Sequence, residues 1–100
     1  MNKGYYIKAS NEKVILEYYK SINVNNRDIT ELVIPEGCET VWCGNNKLTS
    51  LVIPEGCERV RCRDNQLTSL VLPEGCERVF CDMNVKLSGN LDNCFIRMSY

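Results

Sequence analysis

Seven cysteines in a chain of 100 residues are the first groups here that could do chemistry. Six of them form two interleaved series, Cys38, Cys57 and Cys76, and Cys43, Cys62 and Cys81, each recurring every 19 residues. Three chemistries use such residues. Disulfides need an oxidising compartment, and an odd number of thiols leaves one unpaired. Zinc usually takes its ligands in pairs through tight turns, whereas the spacing here is C-x4-C and the chain has no histidine. A nucleophilic thiol needs exposure and a positive neighbour. Cys62 lies between Arg61 and Arg63 in sequence, but on a strand its side chain points to the opposite face from theirs. The expected role is the plain one, because a free cysteine behaves as a small buried hydrophobe. With no histidine to act as a base and no Gly-rich phosphate loop, the residues point to no catalysis, no metal and no cofactor.

The elements that hold these cysteines are set by the same interval. Pro35, Pro54 and Pro73 each begin a Pro-Glu-Gly turn, 19 residues apart, and the full unit is LTSLVIPEGCERVRCRDNQ from Leu48 to Gln66. So regular a period is the mark of stacked repeats. Val41, Cys43, Val60, Cys62, Val79 and Cys81 alternate with polar or aromatic residues, the pattern of a strand with one buried face. Parallel strands need a long return connection. Leu48, Leu51 and Ile53 supply an apolar side for that return, and Pro54 makes it extended rather than helical.

The unit resembles a leucine-rich repeat. Cys38-x-x-Val41-x-Cys43-x-x-Asn46-x-Leu48 and Cys57-x-x-Val60-x-Cys62-x-x-Asn65-x-Leu67 follow the L-x-x-L-x-L-x-x-N-x-L pattern. Cys76-x-x-Val79-x-Cys81-x-x-Asn84 follows it again, with Leu87 one residue late. The short unit is similar to the compact repeats of bacterial effector proteins, and the resemblance covers residues 19–98. It implies an α/β-class leucine-rich-repeat solenoid that is mostly β. That solenoid has about five short parallel strands on a concave face, extended proline-containing convex returns, and few or no helices. It also implies that Asn46, Asn65 and Asn84 stack as a buried ladder, whose amides must find backbone partners.

The ends depart from the repeat. Ile29, Leu32 and Ile34 make an earlier return, preceded by a strand at Ile22-Asn23-Val24, with Arg27 in place of the ladder asparagine. Leu91-x-x-Cys94-x-Ile96 reads as a last strand. Residues 1–20 lie outside the register and read as an N-terminal cap, a β-hairpin of Tyr5-Tyr6-Ile7 and Val14-Ile15-Leu16. A short amphipathic helix at 12–20 is the alternative. A cap is required because a terminal coil otherwise exposes its core face. Residues 21–100 then form the solenoid, and cap and solenoid together one compact domain.

Outward positions fall in columns across the expected strands. The central column is Trp42, Arg61, Phe80 and Phe95. The column before it is Thr40, Arg59, Arg78 and Asn93, and the column after it Gly44, Arg63, Asp82 and Arg97. Five of the six arginines, the one tryptophan and both phenylalanines therefore share one face. Tryptophan and arginine are enriched at binding hot spots, and guanidinium groups stack on aromatic rings. The plainer alternative is a solvated sheet face with cross-strand pairs such as Glu58 with Arg78. Opposite this face run Val33, Val52 and Val71 beside Glu36, Glu55 and Glu74.

Hydrophobic content of 44%, charged content of 25% and a net charge of −1 describe an ordinary folded domain with no bulk field. The binding residues read from the sequence are Trp42, Arg59, Arg61, Arg63, Arg78, Phe80, Phe95 and Arg97. Their expected partner is another protein, with an acidic or polar patch and an apolar pocket for Trp42 or Phe80. In that role the chain is an interaction module, acting as a stoichiometric inhibitor or adaptor of bacterial, phage or effector type. Single-stranded nucleic acid is the alternative partner, opposed by Glu39, Glu58 and Glu77 at the strand starts. A piece of a longer solenoid is the structural alternative. No apolar run approaches the about 20 residues of a membrane span, and the N-terminus lacks the apolar stretch of a signal peptide. These features point to the cytoplasm, or to delivery into a host cell without a cleaved signal. Oligomeric state is left open.

Overall fold

Alternation of apolar and polar residues becomes strand throughout. The structure, a computed structural model, describes residues 3–17 and 19–99. Among these residues there are ten strands and no helix. In chain order they are β1 (Gly4–Lys8), β2 (Lys13–Leu16), β3 (Ser21–Asn23), β4 (Ile29–Val33), β5 (Thr40–Trp42), β6 (Arg59–Arg61), β7 (Ser69–Leu72), β8 (Arg78–Asp82), β9 (Lys86–Gly89) and β10 (Phe95–Ser99). Among the described residues, then, no helix is long and apolar enough to cross a membrane.

One five-stranded sheet has the order β10-β8-β6-β5-β3, with every neighbouring pair parallel. Val41 pairs with Val60, Val60 with Val79, and Val79 with Ile96, so each 19-residue unit adds one strand to the stack. The chain is thus a β-solenoid with five parallel strands and, among the described residues, no helix. Its core is a set of rows. Val41, Val60 and Val79 are sealed from solvent, as are Cys43, Cys62 and Cys81 and, from the return side, Leu48, Leu67 and Leu70. Each buried valine or leucine contributes about 1.5–3 kcal/mol.

The return is joined to the next strand by a tight turn. Cys38, Cys57 and Cys76 donate their backbone N–H to the carbonyls of Pro35, Pro54 and Pro73 at 3.2–3.3 Å. Gly37, Gly56 and Gly75 occupy the third position with φ of 82°, 86° and 84°. A type II turn requires a positive φ there, which glycine adopts without a Cβ penalty.

The cap is a hairpin, β1 antiparallel to β2. Residues 13–16 are strand, which excludes the helical alternative there. β1 also pairs antiparallel with β4, the first return, in a second sheet of order β2-β1-β4. The cap therefore covers the first coil from its return side, and Tyr6 enters the common core. Gly4 permits this approach, since a Cβ there would lie 2.2 Å from the Val33 carbonyl oxygen. Residues 1, 2 and 18 of the cap and residue 100 of the solenoid span lie outside the described residues.

The last coil corrects the sequence reading. Ile96 and Met98 pair with Val79 and Cys81, so the final strand arrives two residues early against the 19-residue period. The return shows the same shortening, with Leu70 beside Leu87 in the parallel pair β7-β9. Val85 fills the core position behind a tight turn, its N–H donating to the Asp82 carbonyl at 3.2 Å. Leu91, expected inside, is 42% exposed. In consequence Arg97 stands beside Phe80, and Phe95 beside Arg78. Phe95 and Arg97 each sit one column earlier than the Leu91-x-x-Cys94-x-Ile96 pattern places them.

Candidate binding face

The central column of the sheet is Asn23, Trp42, Arg61, Phe80 and Arg97, in that order across the strands. Parallel pairing holds neighbouring strands about 4.8 Å apart, the distance at which flat groups on successive strands stack. The Arg61 guanidinium lies 4.4 Å from the Trp42 ring centre and 4.8 Å from that of Phe80. Arg97 covers Phe80 from the far side at 5.8 Å. The result is an alternating ladder, ring, cation, ring, cation. Each contact of this kind contributes about 0.5–1 kcal/mol at an exposed site, which fixes side chains that would otherwise move freely.

The preceding column is Ser21, Thr40, Arg59, Arg78 and Phe95. Arg59 reaches Glu77 at 4.0 Å, a loose pair between half-exposed groups, worth little in water. The pairing foreseen for Glu58 and Arg78 is replaced by this one. Phe95 meets Phe80 edge-on with ring centres 6.4 Å apart and is 61% exposed. Between the two columns Trp42, Phe80, Arg59 and Arg78 line a small depression of about 170 Å³.

At the strand ends the face opens into a groove of about 630 Å³, lined by Arg61, Arg63 and Arg97 together with Asn25, Asn26, Asn45 and Asp64. Asn26, Asn45 and Asp64 form the corners of successive coils with φ of 57°, 53° and 59°. Asparagine and aspartate tolerate this left-handed conformation better than other residues with a Cβ. The Asn45 amide donates to the Asn26 side-chain oxygen, and the Asn25 oxygen accepts from the Gly44 N–H at 2.7 Å. Sequence reasoning passed over these residues. The signal was present in Asn26, Asn45 and Asp64 recurring at 19 residues, just before the ladder positions.

Two of the three ladder asparagines do stack. The Asn46 oxygen accepts from the N–H groups of Arg27 and Ile29 at 3.0 Å, and its amide donates to the carbonyls of Val24, Cys43 and Gly44. Asn65 repeats this one coil on, accepting from Leu48 N–H and donating to Cys43, Cys62 and Arg63. Asn84 does not. It is exposed in the shortened turn, and the Asp82 carboxylate takes the N–H groups of Asp64 and Asn65 instead.

The six core cysteines are buried and unbridged. Burial pushes Cys43 and Cys57 up to about 12 and Cys76 to about 11, and it also raises Cys38, Cys62 and Cys81. The thiols of Cys38, Cys57, Cys62 and Cys76 meet backbone carbonyls as weak donors. Cys94 is half-buried and lies beside Cys76, at the end of the row of Cys38, Cys57 and Cys76 rather than that of Val79. Among the described residues no three cysteine or carboxylate side chains are grouped to hold a metal.

On the return side Val33, Val52 and Val71 are all exposed, Val52 most at 81%. Neither the known protein families, nor the curated proteins, nor the solved structures contain a match to this chain.

Proposed function

We propose that the chain is a short-repeat solenoid of the leucine-rich type that binds another protein through the open face of its five-stranded sheet. The observation that carries this reading is the Trp42–Arg61–Phe80–Arg97 ladder, a preorganised row of large side chains with no element of the described chain over it. Rigid aromatic and arginine anchors lose little conformational freedom on docking, so more of the contact energy appears as affinity. The leucine-rich assignment rests on the repeat pattern and on the backbone-capping amides of Asn46 and Asn65. In this role the small module acts as an adaptor or stoichiometric inhibitor and catalyses nothing.

The test is affinity capture from native host lysate with the wild type and a Trp42→Ala/Arg61→Ala/Phe80→Ala triple variant, both first shown to be folded by far-ultraviolet circular dichroism. A partner retained by the wild type and lost by the variant supports the reading. A partner held equally by both contradicts it.

A further inference from the structure

The groove at the strand ends collects cations without counterions. Arg61, Arg63 and Arg97 line it, and among the described residues no carboxylate pairs with any of the three. Asp64 at the rim is the one carboxylate among its lining residues, and Asp82 nearby is engaged by two backbone N–H groups. Arg63 carries the clearest mark of an unmet demand. Its Nε is shielded from solvent and has no hydrogen-bond acceptor, and a guanidinium held this way gains from an anion nearby. The amides of Asn25, Asn26 and Asn45 add neutral donors around the same space. Arg61 and Arg97, which lie over the Phe80 ring, also line the groove. Arginine forks match carboxylates through two parallel hydrogen bonds.

We propose that this groove is a carboxylate-binding site that takes an acidic segment of the partner protein, with Arg61, Arg63 and Arg97 as the anion-binding residues. The proposal rests on the open-face reading above and adds the chemistry of the partner. The three guanidiniums outnumber the carboxylates of Asp64 at the rim and Asp82 nearby, so the groove is suited to one acidic side chain. Phe80 at its wall favours an apolar residue beside it. The acidic row Glu39, Glu58 and Glu77 at the opposite ends of the strands orients such a segment, because it repels the same charges there.

The experiment is fluorescence anisotropy with a labelled hexaglutamate peptide, a hexaglutamine control and a labelled hexathymidine oligonucleotide, at low and at physiological salt. The variants are Arg97→Gln, in the groove on the edge strand, and Lys86→Gln, an exposed cation of the return strand β9 outside the binding face. Both make the same change in net charge. The proposal expects hexaglutamate to bind and hexaglutamine not to. It expects Arg97→Gln to weaken binding by about tenfold, the scale of one charge-assisted hydrogen bond, while Lys86→Gln changes it less than about twofold. Equal losses in the two variants, no binding of hexaglutamate, or tighter binding of hexathymidine would each overturn it. The captured partner separates this failure from that of the broader reading. A partner lost by the triple variant but held fully by Arg63→Gln/Arg97→Gln overturns the carboxylate site and leaves the open face as the binding surface.

Discussion

At the scale of single residues the chain uses cysteine where a larger repeat would use leucine. The molecule, cap included, measures 36 × 31 × 16 Å, and a core this thin takes the small thiol without overpacking. The thiols carry a pH consequence. An ordinary thiol ionises near 9, whereas folded Cys43 and Cys57 hold their protons to about 12 and Cys76 to about 11. Above pH 9 the unfolded chain therefore binds fewer protons than the folded one, so stability falls as pH rises. Stability is fully present below pH 9 and is lost progressively between 9 and about 12. Urea midpoints measured from pH 7 to pH 11 under reducing conditions should fall steadily above 9. A midpoint that stays flat over that range would show that the thiols are not sealed as described. The alternation of valine and cysteine made this burial legible in the sequence. The approach of Cys94 to Cys76 was not, because it depends on a coil length that the period does not reveal.

At the scale of elements the turn after each strand separates two designs. In the first two full coils an asparagine side chain replaces the backbone partners that a solenoid corner lacks. In the last, a two-residue deletion tightens the corner, and Val85 and Leu87 take over the core positions. Asn46→Ala removes five hydrogen bonds from a buried corner. It should destabilise the chain by about 3 kcal/mol, since unpaired buried groups cost about 1–3 kcal/mol. Asn84→Ala should change stability by less than about 0.5 kcal/mol, as for other exposed positions. Equilibrium urea unfolding of the two variants decides this, and a large loss at Asn84 would restore the three-membered ladder. The sequence carried the strands, the Pro-Glu-Gly turns and the hairpin, because each is written in local periodicity and turn chemistry. It misplaced Phe95 and Arg97, because Cys94-x-Ile96 imitates the Val-x-Cys strand pattern two residues out of step. The β1-β4 pairing was hidden for another reason. It joins segments by edge hydrogen bonds, which leave no side-chain pattern beyond Gly4.

At the scale of the molecule the parallel stack converts a period in sequence into a row in space. Residues 19 positions apart become neighbours, so Trp42, Arg61 and Phe80 form one ladder although nothing in their local surroundings connects them. The columns of the first four strands were readable for that reason, and they brought the arginines and aromatics to one side of the sheet. The groove at the strand ends was not readable, since it is enclosed by corner residues whose left-handed backbone faces no column. Solvent-exposed apolar side chains occur elsewhere too, at Ile15 and Tyr19 beside the cap and at Val52 and Val71 on the returns. The account nevertheless gives binding to the face with the ladder. Hydroxyl-radical footprinting of the chain alone and in complex with its captured partner measures this directly. Lower modification of Trp42, Phe80 and Phe95 in the complex, with Ile15, Tyr19 and Val52 unchanged, is the result predicted. Unaltered modification of the three ring residues, with protection of the cap or the return valines in their place, would contradict it.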